Sequence, residues 1–287
     1  MNPRDLVIGA AFAGAIALFA WRAHALTRSG AIAAFAVGTL TYASGTVGFT
    51  LVLLAFFLPS VALSRVGRAR KRELIDVGKL GARDALQVLA NGGVATGCAV
   101  AWAFTHDPRW AFAFAGAYAA ATADTWGTEI GTLAKRQPHS ILTLRPVATG
   151  LSGGITLPGT LAEIAGALWI GLIGIIGIAL AYVLGTFDVG FSVSKAPAAV
   201  MVQVLALVAL PLGGIAGATL DSVLGAAAQE LRHCDACDRA CETDPHVCGN
   251  RTRRVHGLPG LSNDVVNLLA TAAGAALAAG IVNALHS

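Results

Sequence analysis

Two carboxylates, Asp124 and Glu129, stand inside the apolar run "WAFAFAGAYAAATADTWGTEIGTLA". An ionised group at membrane depth costs roughly 2.5–3.5 kcal/mol on insertion scales, so such groups are paired, line water or carry function. Asp221, in "LDSVLGAAAQE", and Asp264, in "LSNDVVNLL", place two more acids near the ends of later apolar runs. Hard carboxylate oxygens suit Mg2+, which binds through one or two carboxylates plus substrate phosphates. All four acids are therefore candidate catalytic and Mg2+-binding residues. On an unbroken helix Asp124 and Glu129 are five positions apart and point roughly 140° away from each other. Either the helix ends or bends at Gly127–Gly131, or the two acids serve different partners. The expectation is that Asp124 points into the bundle toward Asp221 and Asp264, and Glu129 toward the basic loop that follows.

That loop is "KRQPHSILTLRPVATGLSGGITLPG". Its Lys135, Arg136 and Arg145 supply charge and bidentate contacts for phosphate. Thr149, Gly150, Gly153 and Gly154 form a turn that exposes backbone N–H groups just before a helix start, a setting that favours phosphate. Carboxylate-held metal beside a cationic loop is how phosphoryl- and nucleotidyl-transfer sites are assembled. A solvated basic loop is the plain alternative. Asp84, Gln87 and Asn91 fall at i, i+3, i+7 and give one helix a polar face. Asn263 and Asn267 share a face of the last helix. The three Asn side chains are candidates to orient phosphates. Helix–helix hydrogen bonding for Asn91 and an N-cap for Asn263 are the structural alternatives. Gly213, Gly217, Asp221, Gly225 and Gln229 follow at i+4 steps, a small-residue packing seam with one acid in it.

Four of the five cysteines lie in "HCDACDRACETDPHVCGNRTRRVH". Cys234 and Cys237 have C-x2-C spacing, and His246 and Cys248 complete a tetrahedral Zn2+ set of structural type. Cys241 and His233 compete as ligands. Free thiols or a redox-labile pair are the alternatives, and Cys98, inside a span, reads as packing.

The elements that must position these groups are membrane helices. The 287-residue chain is 55% hydrophobic and only 13% charged, with a mean hydropathy of +0.68, whereas a soluble domain carries about a quarter charged residues. The fold class is all-α, a polytopic integral membrane bundle of about eight spans: 6–22, 30–44, 47–64, 85–104, 110–133, 160–185, 198–226 and 264–285. Residues 1–287 form one membrane domain, with 227–262 as a loop insert carrying the zinc candidate. No cleavable signal peptide and no internal repeat are evident. Eight spans put the basic loops 23–29, 65–84, 134–156 and 227–262 on one side, which the positive-inside rule makes cytoplasmic, with both termini outside and the cell inner membrane as location. No segment resembles a nucleic-acid module, and nothing fixes an oligomeric state.

The motifs "LTRSGAIAA", "ADTWGTEIG" with "LTLRPVATGLSGGIT", "LDSVLGAAAQ" and "GLPGLSNDVVNLL" run in order along nearly the whole chain. In them the chain resembles the integral membrane phytyl-phosphate kinase family of the vitamin E pathway. A more distant likeness is to CTP-dependent polyprenol kinases and CDP-diacylglycerol synthases, carried by Asp124, Gly131, Lys135, Pro146, Gly150 and Gly153-Gly154. The segment "RPVATG" departs from that second group. The resemblance implies an enzyme that phosphorylates an isoprenyl, phytyl-like monophosphate to the diphosphate with a nucleoside triphosphate, CTP by preference, and Mg2+. A CDP-lipid-forming cytidylyltransferase and a transporter or flippase of a phosphorylated lipid are the alternatives.

Overall fold

The computed structural model describes residues 1–67, 71, 81–184 and 196–284. Seven helices lie among them: α1 (Pro3–Arg22), α2 (Arg28–Arg65), α3 (Ala85–Thr105), α4 (Pro108–Gly131), α5 (Leu157–Val183), α6 (Ala196–Ala227) and α7 (Asn263–Ala284). By length and composition, six are fit to cross a membrane, all but α4. The expected spans 30–44 and 47–64 are the two halves of α2, two helices joined across a kink at Thr46, and both ends of α2 lie at one end of the bundle, where Arg65 donates to Ala23 O. At 1.5 Å per residue a straight α2 would run about 57 Å, far beyond the ~30 Å hydrocarbon core. It breaks at Thr46 (φ 48°, ψ −135°). Gly45 permits the break, because a Cβ there would lie 2.1 Å from the Phe49 ring. Arg68, Arg70, Arg72 and Lys79 of the basic stretch, and the outer ends of the expected spans at 185 and 285, lie outside the described residues.

α4 is the axis of the bundle. Every residue from Phe112 to Ala123 is buried, and α4 packs against α2, α3, α5, α6 and α7. It therefore meets protein rather than lipid, so its polar end needs no apolar cover. Close approach comes from small residues, as packing in lipid requires. A Cβ on Gly116 would lie 2.5 Å from Ala278 Cβ, one on Gly217 would lie 2.4 Å from Ala120 Cβ, and one on Gly274 would lie 2.7 Å from Ala120 Cβ. The i+4 seam read on α6 is thus a contact line to α4 and α7.

Caps fix where helices enter. Asp84 accepts from the Gln87 N–H (3.0 Å) while Gln87 Oε1 accepts from the Asp84 N–H (3.1 Å). This is a capping box, so two of the three polar residues read as a functional stripe on α3 are cap chemistry.

Four loops gather at one end of the bundle. Arg83 N–H donates to Ala25 O (3.0 Å), and Thr27 N–H donates to Arg83 O (3.0 Å). A Cβ on Gly67 would meet Leu133 at 2.5 Å. Ser152 N–H donates to Glu242 (3.0 Å). Two short strands, β1 (His139–Ser140) and β2 (Gly154–Ile155), pair antiparallel. The segment after α6 forms a sheet of order β4-β3-β5 from β3 (Leu231–Cys234), β4 (Arg239–Cys241) and β5 (Arg253–His256).

Substituting Gly274 by Val should destabilise the protein by about 1–3 kcal/mol, since overpacking a filled seam forces backbone shifts. Gly280, on the same helix, has open space around its Cβ position, and Gly280→Ala should be neutral or stabilising by about 0.5–1 kcal/mol. Thermal unfolding of the purified protein in detergent checks both; equal effects would contradict the packing account.

Candidate functional site

Asp124 lies on the face of α4 that meets α5 and α6. Opposite it, on α5, is Glu163, which the sequence reading missed. A Cβ on Gly127 would lie 2.4 Å from Glu163 Cγ and 2.7 Å from Oε1, so Gly127 is the notch that admits the Glu163 carboxylate against α4. Asp221 closes the group from α6. It is 8% exposed, and among the described residues its Oδ2 has no hydrogen-bond partner. Asp124, Glu163 and Glu242 all act electrostatically on Asp221. Three acids thus converge from three helices, with a fourth, Glu242, contributed by the cysteine-bearing segment.

Like charges brought together under burial are costly unless a cation or protons intervene. The donor set is all hard oxygen, which suits Mg2+ better than a soft metal. The orphaned Asp221 Oδ2 is a buried acceptor waiting for a partner. Among the described residues only the cysteine–histidine set brings three or more ligand atoms within 4.8 Å of one another, so the three carboxylates are hard-oxygen donors near one another and not a closed metal cage.

Glu129 goes elsewhere. α4 stays helical through Gly131 and ends there, so the 140° separation is kept. Glu129 pairs with the Lys71 ammonium, and Lys71, 4% exposed, also donates to Leu63 O (3.1 Å). The expectation that Glu129 meets the Gly-rich loop is corrected. Its face of α4 looks toward α2 and the segment after it. Burial holds the Arg83 guanidinium below its ordinary pKa, and the field of Glu129 partly offsets this. Lys71 stands in the basic loop 65–84, and nothing in its surroundings in the sequence marks it as buried.

Asp264 sits half-buried in the first turn of α7. Asn263 is exposed as the first residue of α7, and Asn267 is half-buried one turn later. Asn91 donates to Gln87 O (2.9 Å) on the other side of α4 from the acid group.

The Gly-rich loop does adjoin that group. Gly153 (φ 77°) lies against α6, where a Cβ would fall 2.4 Å from Ala226 Cβ. Gly154 pairs with Ser140 in the β1–β2 ladder. Thr149 is half-buried, and Gly150 turns with φ 87°. Lys135, Arg136 and Arg145 are exposed, as cations awaiting a mobile anion should be. Gln229, 3% exposed, donates from Nε2 to Ser152 Oγ (2.8 Å) and to Glu242 Oε2 (2.7 Å). Burial pushes the Glu242 carboxyl up, and the Ser152 N–H pulls it down. Glu242 and Gln229 thereby clamp the loop to the cysteine-bearing segment.

In that segment Cys234, Cys237, His246 and Cys248 hold their ligand atoms within 4.8 Å of one another. Cys234 and Cys248 Sγ are 3.7 Å apart. Zn–S bonds of about 2.3 Å at tetrahedral angles require about 3.8 Å. His246 Nδ1 lies 3.1 Å from Cys248 Sγ. That contact, more than any other, draws the Cys248 thiol down to about 6. Three thiols and an imidazole at this spacing fit zinc. Cys241 turns away to Thr243 O (3.7 Å), and His233 engages Asp235 and Asp238, so neither competitor joins the set.

Comparison with known proteins agrees with this architecture. The family described as integral membrane protein DUF92 matches residues 11–275. Protein PGR of Arabidopsis thaliana is 29% identical over 279 residues, 92% of this chain and 91% of its own length. An uncharacterized membrane protein of Methanocaldococcus jannaschii is 34% identical over 161 residues, 55% of this chain and 66% of its own. Protein VTE6, chloroplastic, of Arabidopsis thaliana is 30% identical over 165 residues, 52% of this chain and 46% of its own. No solved structure matches. Over nearly its whole length, then, the chain belongs to the integral membrane protein DUF92 family.

Proposed function

We propose that the protein is a membrane phosphotransferase that converts an isoprenyl, phytyl-like monophosphate to its diphosphate, with a nucleoside triphosphate as donor. The observation that carries the reading is the convergence of Asp124, Glu163 and Asp221, with Asp221 Oδ2 unpartnered, beside a Gly-rich loop. The motif resemblance to phytyl-phosphate kinases and the partial likeness to Protein VTE6 support the substrate class. CTP is preferred as donor on the resemblance alone. By the positive-inside rule the loop-bearing end faces the cytoplasm, here of the cell inner membrane.

In this reading Asp124, Glu163 and Asp221 would hold Mg2+, which would supply charge neutralisation for the donor phosphates. Ser152–Gly154 hold the phosphates, and Lys135, Arg136 and Arg145 close over them from solution. Thr149 and Gly150 shape the turn, and Asn263, Asp264 and Asn267 border the site from α7. An acceptor phosphate oxygen attacks the γ-phosphorus, a new O–P bond forms, and the bond to the β-phosphate oxygen breaks. The electron pair leaves with the nucleoside diphosphate. The acceptor is already anionic at that oxygen, so positioning and charge screening carry the rate rather than a general base. The Lys71–Glu129 pair fixes the end of α4 and so positions Asp124. The cysteine cluster, which zinc would fill, ties β3 and the turn after it to the His246–Cys248 stretch, and Glu242, between them in the chain, fixes Ser152.

The test is transfer from γ-labelled CTP or ATP to phytyl or geranylgeranyl monophosphate by the purified protein with Mg2+. Label in the lipid is expected. Label only in released diphosphate would make the protein a cytidylyltransferase, and a folded wild-type protein that transfers to neither lipid would sink the reading. Asp124→Asn and Asp221→Asn should each lower kcat by about 10²–10³, the scale of losing one preorganised electrostatic contact. Wild-type rates in both variants would remove the acid trio from the chemistry.

Zinc analysis by plasma mass spectrometry should find about one metal per chain, as for a closed four-ligand site. Cys234→Ser and Cys237→Ser should abolish it, whereas Cys241→Ser should not. A metal-free protein that keeps full activity would disprove the coupling through Glu242.

A further inference from the structure

On the other side of α4 from the acid trio, α1, α2 and α3 line an apolar trough whose enclosed part is about 80 Å³ and which opens to one side. Its walls are aliphatic and aromatic, and Phe12, at 60% exposure, marks the side open to the bilayer. Close approach of α1 to α2 seals the floor. A Cβ on Gly38 would lie 2.9 Å from Ala13 Cβ, and one on Gly9 would lie 3.0 Å from Tyr42.

The trough is chemically one-ended. Its cation and its two amides are Arg83, Gln87 and Asn91, all at the loop-bearing end of the bundle. The Arg83 backbone is clamped by Ala25 and Thr27. Among the described residues no carboxylate lies within ion-pair distance of its guanidinium. Gln87 Oε1 is consumed by the cap on Asp84, which leaves its Nε2 as a free donor. A planar guanidinium and a neighbouring amide donor at the mouth of an apolar channel match a phosphate monoester on a hydrocarbon chain.

The trough also meets α4. Tyr118 lines it, and Thr125 and Glu129, seven and eleven positions later, share that face of α4. Glu129 acts electrostatically on both Arg83 and Asp124.

We propose that this trough is the acceptor site: a single-chain isoprenyl monophosphate lies with its tail between α1 and α2 and its phosphate on Arg83 and Gln87. The identity of the lipid rests on the phosphotransferase reading, whereas the location rests on the trough itself.

Binding is tested without nucleotide, on the full chain in nanodiscs. The probe is geranylgeranyl monophosphate carrying a photoreactive diazirine on its terminal isoprene unit. Cross-links should fall on α1 and α2, around Phe12, Ile16 and Leu53. Arg83→Gln should weaken binding of the monophosphate about tenfold or more, as loss of a charge-assisted contact predicts, and leave binding of the corresponding alcohol unchanged. Ile16→Trp, on the channel wall, should weaken geranylgeranyl monophosphate more than geranyl monophosphate, and it serves if Arg83→Gln does not fold. Cross-links confined to α5–α7 would overturn the proposal. So would unchanged monophosphate affinity in a folded Arg83→Gln protein, or equal competition by phosphatidic acid vesicles. Label in the trough without phosphoryl transfer would keep this site and remove the kinase reading. Transfer with label elsewhere would do the reverse.

Discussion

Between Phe112 and Ala123, α4 touches protein on every side, and this contact depends on glycine and alanine lying where backbones nearly meet. A methyl group at Gly116, Gly217 or Gly274 would overlap a neighbouring atom. The helix is therefore fixed in rotation as well as position, because any turn about its axis would drive Cβ atoms into α6 and α7. That fixed rotation decides which way its two acids point. Asp124 is held toward α5 and α6, and Glu129 toward Lys71. The acid trio on one side and the apolar trough on the other both inherit their place from it.

Burial then sets the electrostatics. Carboxylates that share a low-dielectric site oppose one another's ionisation, and the group is stable only with a cation or shared protons. The Lys71–Glu129 pair solves the same problem by direct neutralisation, with Glu129 still partly exposed at 21%. The two arrangements on one helix end are thus unlike in kind. One is closed and self-sufficient; the other is short of positive charge. An arrangement short of charge is the one expected to take a ligand.

Much of this was legible in the residues. The apolar runs gave helix positions to within a few residues, since each span must satisfy its own backbone in lipid. The C-x2-C and H-x-C pairs gave the metal set, because ligand spacing in a short loop is a local property. The five-residue offset of Asp124 and Glu129 already left two choices, a bend at Gly127–Gly131 or two separate partners. Other features were hidden. Glu163 reads as one acid near a helix start, and only the Gly127 notch brings it to Asp124. Asp84 and Gln87 read as a functional stripe because the capping-box spacing was outweighed by the polar periodicity. Glu242 lies among loop acids and reveals nothing until Ser152 meets it.

The sequence by itself determined the membrane class, the helices, the small-residue seams and the zinc-type ligand set, all of which follow from local composition and period. The tertiary structure decided which acids share a site, which cation neutralises Glu129, and that the Arg83 guanidinium ends an apolar trough. In these relations the four acids lie 21 to 118 positions apart in the chain, and Lys71 and Glu129 lie 58 apart. No periodicity records them, because the rotation of each helix about its axis is fixed only by the neighbours it packs against.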